Sequence, residues 1–152
     1  MWWLVPLTLA DGRRRLQEHL LSARLVHRAR ELGVRFYIAP DLGGEYACAT
    51  WLVFERAVLV DNAFFHSAPA VVVEFVLAHE LGHHHHGHPL QKLLITAARL
   101  HRVRTFMNYL QWIEEQANRY AEAFTGLERS IVWGIEVKKA APGGSGHIEE
   151  KR

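Results

Sequence analysis

The run Ala70-Val71-Val72-Val73-Glu74-Phe75-Val76-Leu77-Ala78 leads with a single charged interruption into His79-Glu80-Leu81-Gly82-His83. Such a run, ending on a histidine, is what a helix passing through a small core requires. Pro69 can open the helix at its first turn, and Ser67 is a candidate cap. Gly87 and Pro89 supply stop signals just past the histidines. The pattern therefore predicts a helix over 69–86. On it His79 and His83 stack one turn apart on one face, so both imidazoles can reach one metal ion. Glu80 points about 100° away from His79. From there its carboxylate can act on a water at the ion without binding the ion itself.

This is the H-E-x-x-H arrangement of zinc metalloproteases, so the expected cofactor is zinc and the expected chemistry is peptide hydrolysis. The histidines continue as His83-His84-His85-His86 and His88. His86 returns to the same face but lies about 10 Å further along the axis than His79, too far for one tetrahedral ion on an unbroken helix. His84, His85 and His88 read as solvated, as supports behind a ligand, or as adventitious metal sites, and the roles of His84, His85, His86 and His88 stay open.

Two histidines and a water leave one zinc position to fill. The extended pattern H-E-x-x-H-x-x-G-x-x-H needs glycine at 86 and a ligand at 89, where the chain has His86 and Pro89. A carboxylate from a following helix is the other source. The segment Trp112–Phe124 suits it, with Ala117, Ala121 and Phe124 at helical spacing and two acids, Glu114 and Glu115, near its start. Glu114, Asn118 and Ala121 share one stripe. The small Ala117 and Ala121 would let this helix approach the histidine helix closely.

His79-Glu-Leu-Gly-His83 followed by Glu114-Glu-Gln-Ala-Asn118-Arg-Tyr-Ala resembles the ImmA/IrrE metallopeptidases, whose signature pairs HELGH with a downstream E-x-x-A-N/D-x-F-A. Arg56-Ala-Val-Leu-Val-Asp61-Asn62 looks like the strand preceding that family's active-site helix. The likeness covers roughly residues 25–127, with Tyr120 where many relatives have Phe. It implies that Glu114 completes the zinc site, with Glu115 as the competing ligand, and that Asn118 supports a ligand histidine. It further implies a minimal zincin-like domain that cleaves one protein partner, often a DNA-binding transcriptional repressor.

The remaining expectations are coarser. The 152 residues, 49% of them hydrophobic, suit a single zincin-like domain over 1–140, with a flexible tail over 141–152 that opens Pro142-Gly-Gly-Ser. A net charge of +2 names no partner by electrostatics, and no direct nucleic-acid contact is expected. The basic cluster Arg13-Arg14-Arg15 reads as a solvated helix start. The single cysteine, Cys48, excludes a disulfide framework within the chain and fits a reducing, cytoplasmic compartment, where it would serve as a small buried hydrophobe. The apolar segment Met1–Ala10 is interrupted by Pro6, lacks a basic leader pattern and is too short to span a bilayer. No membrane association is expected.

The layout reads as α+β: a small sheet, the active-site helix and a second ligand-bearing helix. A helix is predicted over 13–32, a strand over 34–39, a turn over Asp41–Gly44, and a hairpin of Ala47–Phe54 with Arg56–Asp61. Helices follow at 69–86 and 90–126, the second broken near Thr105 and stopped by Gly126. Ile131–Val137 is a predicted last strand. The stretch Ala57–Asp61 is the predicted sheet edge, with Val58, Leu59 and Val60 holding an extended substrate by main-chain hydrogen bonds. Tyr109, His101 and Tyr120 are candidates to stabilise an oxyanion. The expected activity is that of a zinc-dependent metalloendopeptidase. The alternatives are a non-catalytic zinc-stabilised interaction module and a DNA-associated zinc protease with a third histidine ligand.

Overall fold

The computed structural model describes residues 12–52, 55–97 and 106–135. Its strands are β1 (Arg14–Arg15), β2 (Val34–Ala39), β3 (Ala47–Leu52) and β4 (Glu55–Asp61). Its α-helices are α1 (Ala23–Glu31), α2 (Asn62–Ser67), α3 (Ala70–His85), α4 (His88–Ala97), α5 (Phe106–Thr125) and α6 (Arg129–Trp133), with a 3-10 turn at Glu18–Leu20. The α+β class and the small sheet are as the sequence predicts, and the structure shows the sheet to be mixed. The segments 1–11 and 141–152 and the expected break near Thr105 lie outside the described residues.

The sheet order is β1-β2-β4-β3. Strands β3 and β4 form the predicted antiparallel hairpin, while β2 runs parallel to β4, Val34 opposite Arg56 through Ala39 opposite Asp61. β4 is therefore an interior strand, and the expectation that it forms the edge is wrong. Its residues Ala57 to Asp61 are all buried. Val58 and Val60 enter the main core under the helices, while Ala57 and Leu59 join Ala39 and Leu42 in a smaller cluster. An unbroken apolar run is the mark of a strand covered on both faces, and in β4 that run reflects a central position. Among the described residues the edge strands are the two-residue β1 and, beside β4, β3.

Other differences have local causes. The apolar spacing over 13–32 suggested one helix, but Arg14 and Arg15 pair with Ile38 and Tyr37, and the Leu16 amide donates to the Phe36 carbonyl. Leu16 enters the core from this strand, whereas Leu20, on the supposed apolar stripe, is 53% exposed. The helix begins only after Ser22, whose Oγ accepts from the Leu25 amide and so caps α1. Ile131 to Trp133 are helical in α6, not extended, while 136–137 lie outside the described residues. Ser67 does not cap α3: its hydroxyl donates to the Ala63 carbonyl, and Pro69 occupies the cap position. Asp61 ends β4 and caps the unanticipated α2, accepting from the Phe64 amide at 2.8 Å and from the Leu42 amide at 3.2 Å.

Helix α3 is buried on most of its circumference, from Val72 to His84. It packs against α5 through Ile113, Ala117 and Ala121, all inaccessible to solvent, which repeat every fourth residue along one face. The approach is close because Gly82 has no side chain. A Cβ built there would stand 2.9 Å from the Cβ of Tyr120. Tyr120 cannot retreat without moving the α5 backbone. We expect Gly82→Ala to destabilise the fold by about 1–3 kcal/mol through overpacking, despite alanine's better helix propensity of about 1 kcal/mol. A urea unfolding midpoint at or above that of the wild type would show that the two helices have room to spare.

Candidate metal centre

Helix α3 carries His79 and His83 one turn apart, and α5 brings Glu114 across to them. The two Nε2 atoms are 3.1 Å apart. Glu114 places Oε2 3.2 Å from His79 Nε2 and Oε1 3.4 Å from His83 Nε2. Donors of a tetrahedral zinc site, each about 2.0–2.1 Å from the ion, stand about 3.3 Å from one another. Two imidazole nitrogens and one carboxylate at this spacing fit zinc in both donor type and separation. These are the residues among those described that could hold a metal ion together.

Hydrogen bonds from behind orient the donors. His79 Nδ1 lies 2.9 Å from Asn118 Oδ1. A carbonyl oxygen only accepts, so Nδ1–H donates, and in the neutral ring Nε2 keeps its lone pair toward the cluster. Asn118 sits one turn beyond Glu114 on the same stripe of α5, so one helix supplies both the carboxylate and the support. His83 Nδ1 lies 2.9 Å from His88 Nδ1, and His88 Nε2 lies 2.9 Å from Gln116 Oε1. The sequence patterns gave no reason to single out Gln116 and left His88 undecided. The weak available signal was position: Gly87, at φ 72°, ends α3 and lets the chain turn back so that the next residue faces the cluster.

The charges are strongly coupled. Burial alone would raise the Glu114 carboxyl, yet hydrogen bonding to His79 and His83 carries it well below the usual carboxylate range. Burial also opposes a charge on His79, but Glu114 and the nearby Glu80 charge raise that imidazole overall. Burial pushes the His88 imidazole down to about 4. Lys92 brings its Nζ to 3.8 Å from Glu114 Oε1.

Glu80, next to His79 on α3, is buried and accepts a 2.6 Å hydrogen bond from the Ala49 amide through Oε2. That amide belongs to β3, an edge strand, and points away from β4. Hydrogen bonding alternates along an antiparallel strand, so Ala47, Ala49 and Trp51 turn their main-chain groups outward. Val58, Leu59 and Val60, the predicted peptide-holding residues, are buried in the sheet interior and have no outward edge to offer.

Glu115 is directed elsewhere. Arg129 holds it with two hydrogen bonds, at 2.5 and 2.9 Å, and Arg119 adds a third at 3.0 Å. These guanidinium bonds keep its carboxyl at about 2. His84 is buried and its Nε2–H donates to the Ala57 carbonyl at 2.8 Å, tying α3 to β4, while His85 is exposed. Cys48 is half-buried on β3, with its thiol pushed up to about 12 by burial. Of the oxyanion candidates, Tyr120 is engaged by Arg28 at 2.7 Å, Tyr109 donates to Gln91 at 2.7 Å, and His101 lies outside the described residues.

No helix among the described residues is long and apolar enough to cross a membrane. No curated protein and no solved structure matches the chain. The model of peptidase family M48 does match, over residues 49–139. That span runs from the edge strand through the histidine helix to the helix bearing Glu114, and it covers well over half of the sequence. The residues that build this cluster thus lie within the matched span, and the chain belongs to peptidase family M48, a family of metallopeptidases.

Proposed function

We propose that this M48 metallopeptidase is a zinc-dependent endopeptidase in which His79, His83 and Glu114 hold the ion and Glu80 is the general base. The supporting observation is the convergence of two Nε2 atoms 3.1 Å apart with the Glu114 carboxylate, whose Oε2 lies 3.2 Å from His79 Nε2 and whose Oε1 lies 3.4 Å from His83 Nε2. When bound there, zinc supplies Lewis acidity, lowering the pKa of a coordinated water and polarising the scissile carbonyl. Glu80 takes the proton of the attacking water and returns it to the leaving amine. The Ala49 amide holds the Glu80 carboxylate beside β3, so the base stands next to the strand along which an extended peptide can pair. Ala47, Ala49 and Trp51 are then the main-chain contacts for the substrate, in place of Val58, Leu59 and Val60.

The ligand set is tested by metal content. Purified tag-free protein should carry about one tightly held zinc per chain. Glu114→Gln should lose it and Glu115→Gln should keep it, because Glu115 is bound to Arg129 and Arg119. The reverse pattern would transfer the third position to Glu115.

The base is tested separately. Glu80→Gln retains a carbonyl to accept from Ala49, so the fold and zinc content should be preserved. Hydrolysis should fall by at least about 100-fold, the scale of lost acid–base catalysis. Wild-type turnover in this variant would remove Glu80 from the reaction, and absence of hydrolysis by the zinc-loaded wild type would leave the zinc-stabilised interaction module as the better reading.

The paired HELGH and E-x-x-A-N motifs support a narrower role of the ImmA/IrrE type: cleavage of one protein partner in the cytoplasm, such as a DNA-binding repressor. Incubation with casein and with the products of neighbouring genes separates the two modes. Selective cutting of one DNA-binding neighbour is the expected result, and rapid casein digestion without a partner would indicate an unselective peptidase.

A further inference from the structure

The two histidines of the cluster are supported differently. His79 is held by Asn118, on the helix that also carries Glu114. His83 is held by another histidine, His88, which opens α4 and is 1% exposed. His88 is in turn held by Gln116. With the Gln116 amide oxygen facing His88, proton bookkeeping along this chain has one solution for neutral rings. Gln116 Oε1 is a carbonyl and only accepts, so His88 carries its proton on Nε2. His88 Nδ1 is then an acceptor, so the proton between it and His83 Nδ1 belongs to His83. His83 Nε2 is left with a lone pair directed at His79 and Glu114, the state a metal ligand needs.

We propose that Gln116 and His88 form a positioning relay that fixes the tautomer and ring orientation of His83. This inference rests on the zinc-site reading for its consequence, but the tautomers themselves do not depend on the metal. Ring packing supports the arrangement. His88 stacks on His86 with centroids 5.4 Å apart, meets His83 edge-on at 5.1 Å, and has Trp112 at 6.3 Å. A ring walled in on these sides cannot easily flip to exchange its nitrogens. A buried imidazole without partners is costly, so each member of the relay also satisfies the next. The turn at Gly87 and the first residue of α4 thereby become part of the metal centre.

The experiment has a metal-free arm and a metal arm. In metal-free protein, imidazole 15N NMR should show His83 protonated on Nδ1 and His88 as the Nε2–H tautomer. Gln116→Leu should turn His88 into a mixture. His83 without a proton on Nδ1 in the wild type would overturn the relay, whatever the protein does with zinc. In the metal arm, zinc affinity is measured by competition with a chromophoric chelator. His88→Leu and Gln116→Leu should weaken zinc about 10–100-fold, the usual effect of losing a partner behind a ligand. His88→Asn, whose Oδ1 takes the place of Nδ1, should recover most of the loss. With a peptide substrate at saturating zinc, kcat should fall in the leucine variants while KM stays near the wild-type value. Wild-type zinc affinity in folded Gln116→Leu and His88→Leu would overturn the proposal. Absence of tight zinc from the wild-type protein would instead overturn the zinc-site reading, leaving the tautomer result to decide the relay.

Discussion

Helices α3 and α5 meet at a distance set by what their side chains lack. Gly82 has no Cβ, and the Tyr120 Cβ and near ring carbons occupy the space one would need. Ala117 and Ala121 offer one carbon each, and both are fully buried. This close approach lets a glutamate side chain from α5 reach two imidazoles on α3. A wider separation would leave His79 and His83 facing a gap that Glu114 could not close. The same approach sets Asn118 behind His79 and Gln116 behind His88. A packing constraint of a few methyl groups thus fixes the geometry of a polar cluster, because dense interiors transmit small displacements to their neighbours.

The cluster concentrates groups that are costly to bury. Glu80, His83, His84 and His88 are all largely withdrawn from water. Each has a partner: Ala49 for Glu80, Ala57 for His84, and the Gln116–His88 pair for His83. Buried polar groups persist in native structures when they are hydrogen-bonded, and this network spreads that satisfaction over two strands and three helices. Glu114 is the exception, since half of its side chain is open to solvent. The donor triangle is therefore rigid on its histidine side and accessible on its carboxylate side, which is where a substrate or water can enter.

The sheet contributes through its edge. Strand β3 lies outermost, with the Ala49 amide aimed at Glu80. Helix α3, Glu80 and the outward side of β3 therefore form one wall beside the cluster. Family membership fixes the general chemistry as that of a metallopeptidase, and in the proposed reading this wall relates the cluster to an extended peptide.

What the sequence determined by itself was local. The boundaries of β2 at Val34–Ala39, the β3–β4 hairpin, the helix ending in His79-Glu-Leu-Gly-His83 and the common stripe of Glu114 and Asn118 all follow from periodicity and turn residues acting within a few positions of one another. The α+β class follows from the same patterns. Only the tertiary structure decided which strand was outermost, because the apolar run Ala57-Val-Leu-Val60 describes burial on both faces and says nothing about which neighbours provide it. Likewise, Leu16 has helical spacing to Leu20, yet its amide pairs with Phe36, a partner named only by the sheet. His88 looked like the end of a histidine run until the turn at Gly87 and the fold of α5 set it between His83 and Gln116. Hydrogen bonds between residues far apart in sequence leave no periodic trace, so the side chains that only support other side chains were the least legible part of the chain.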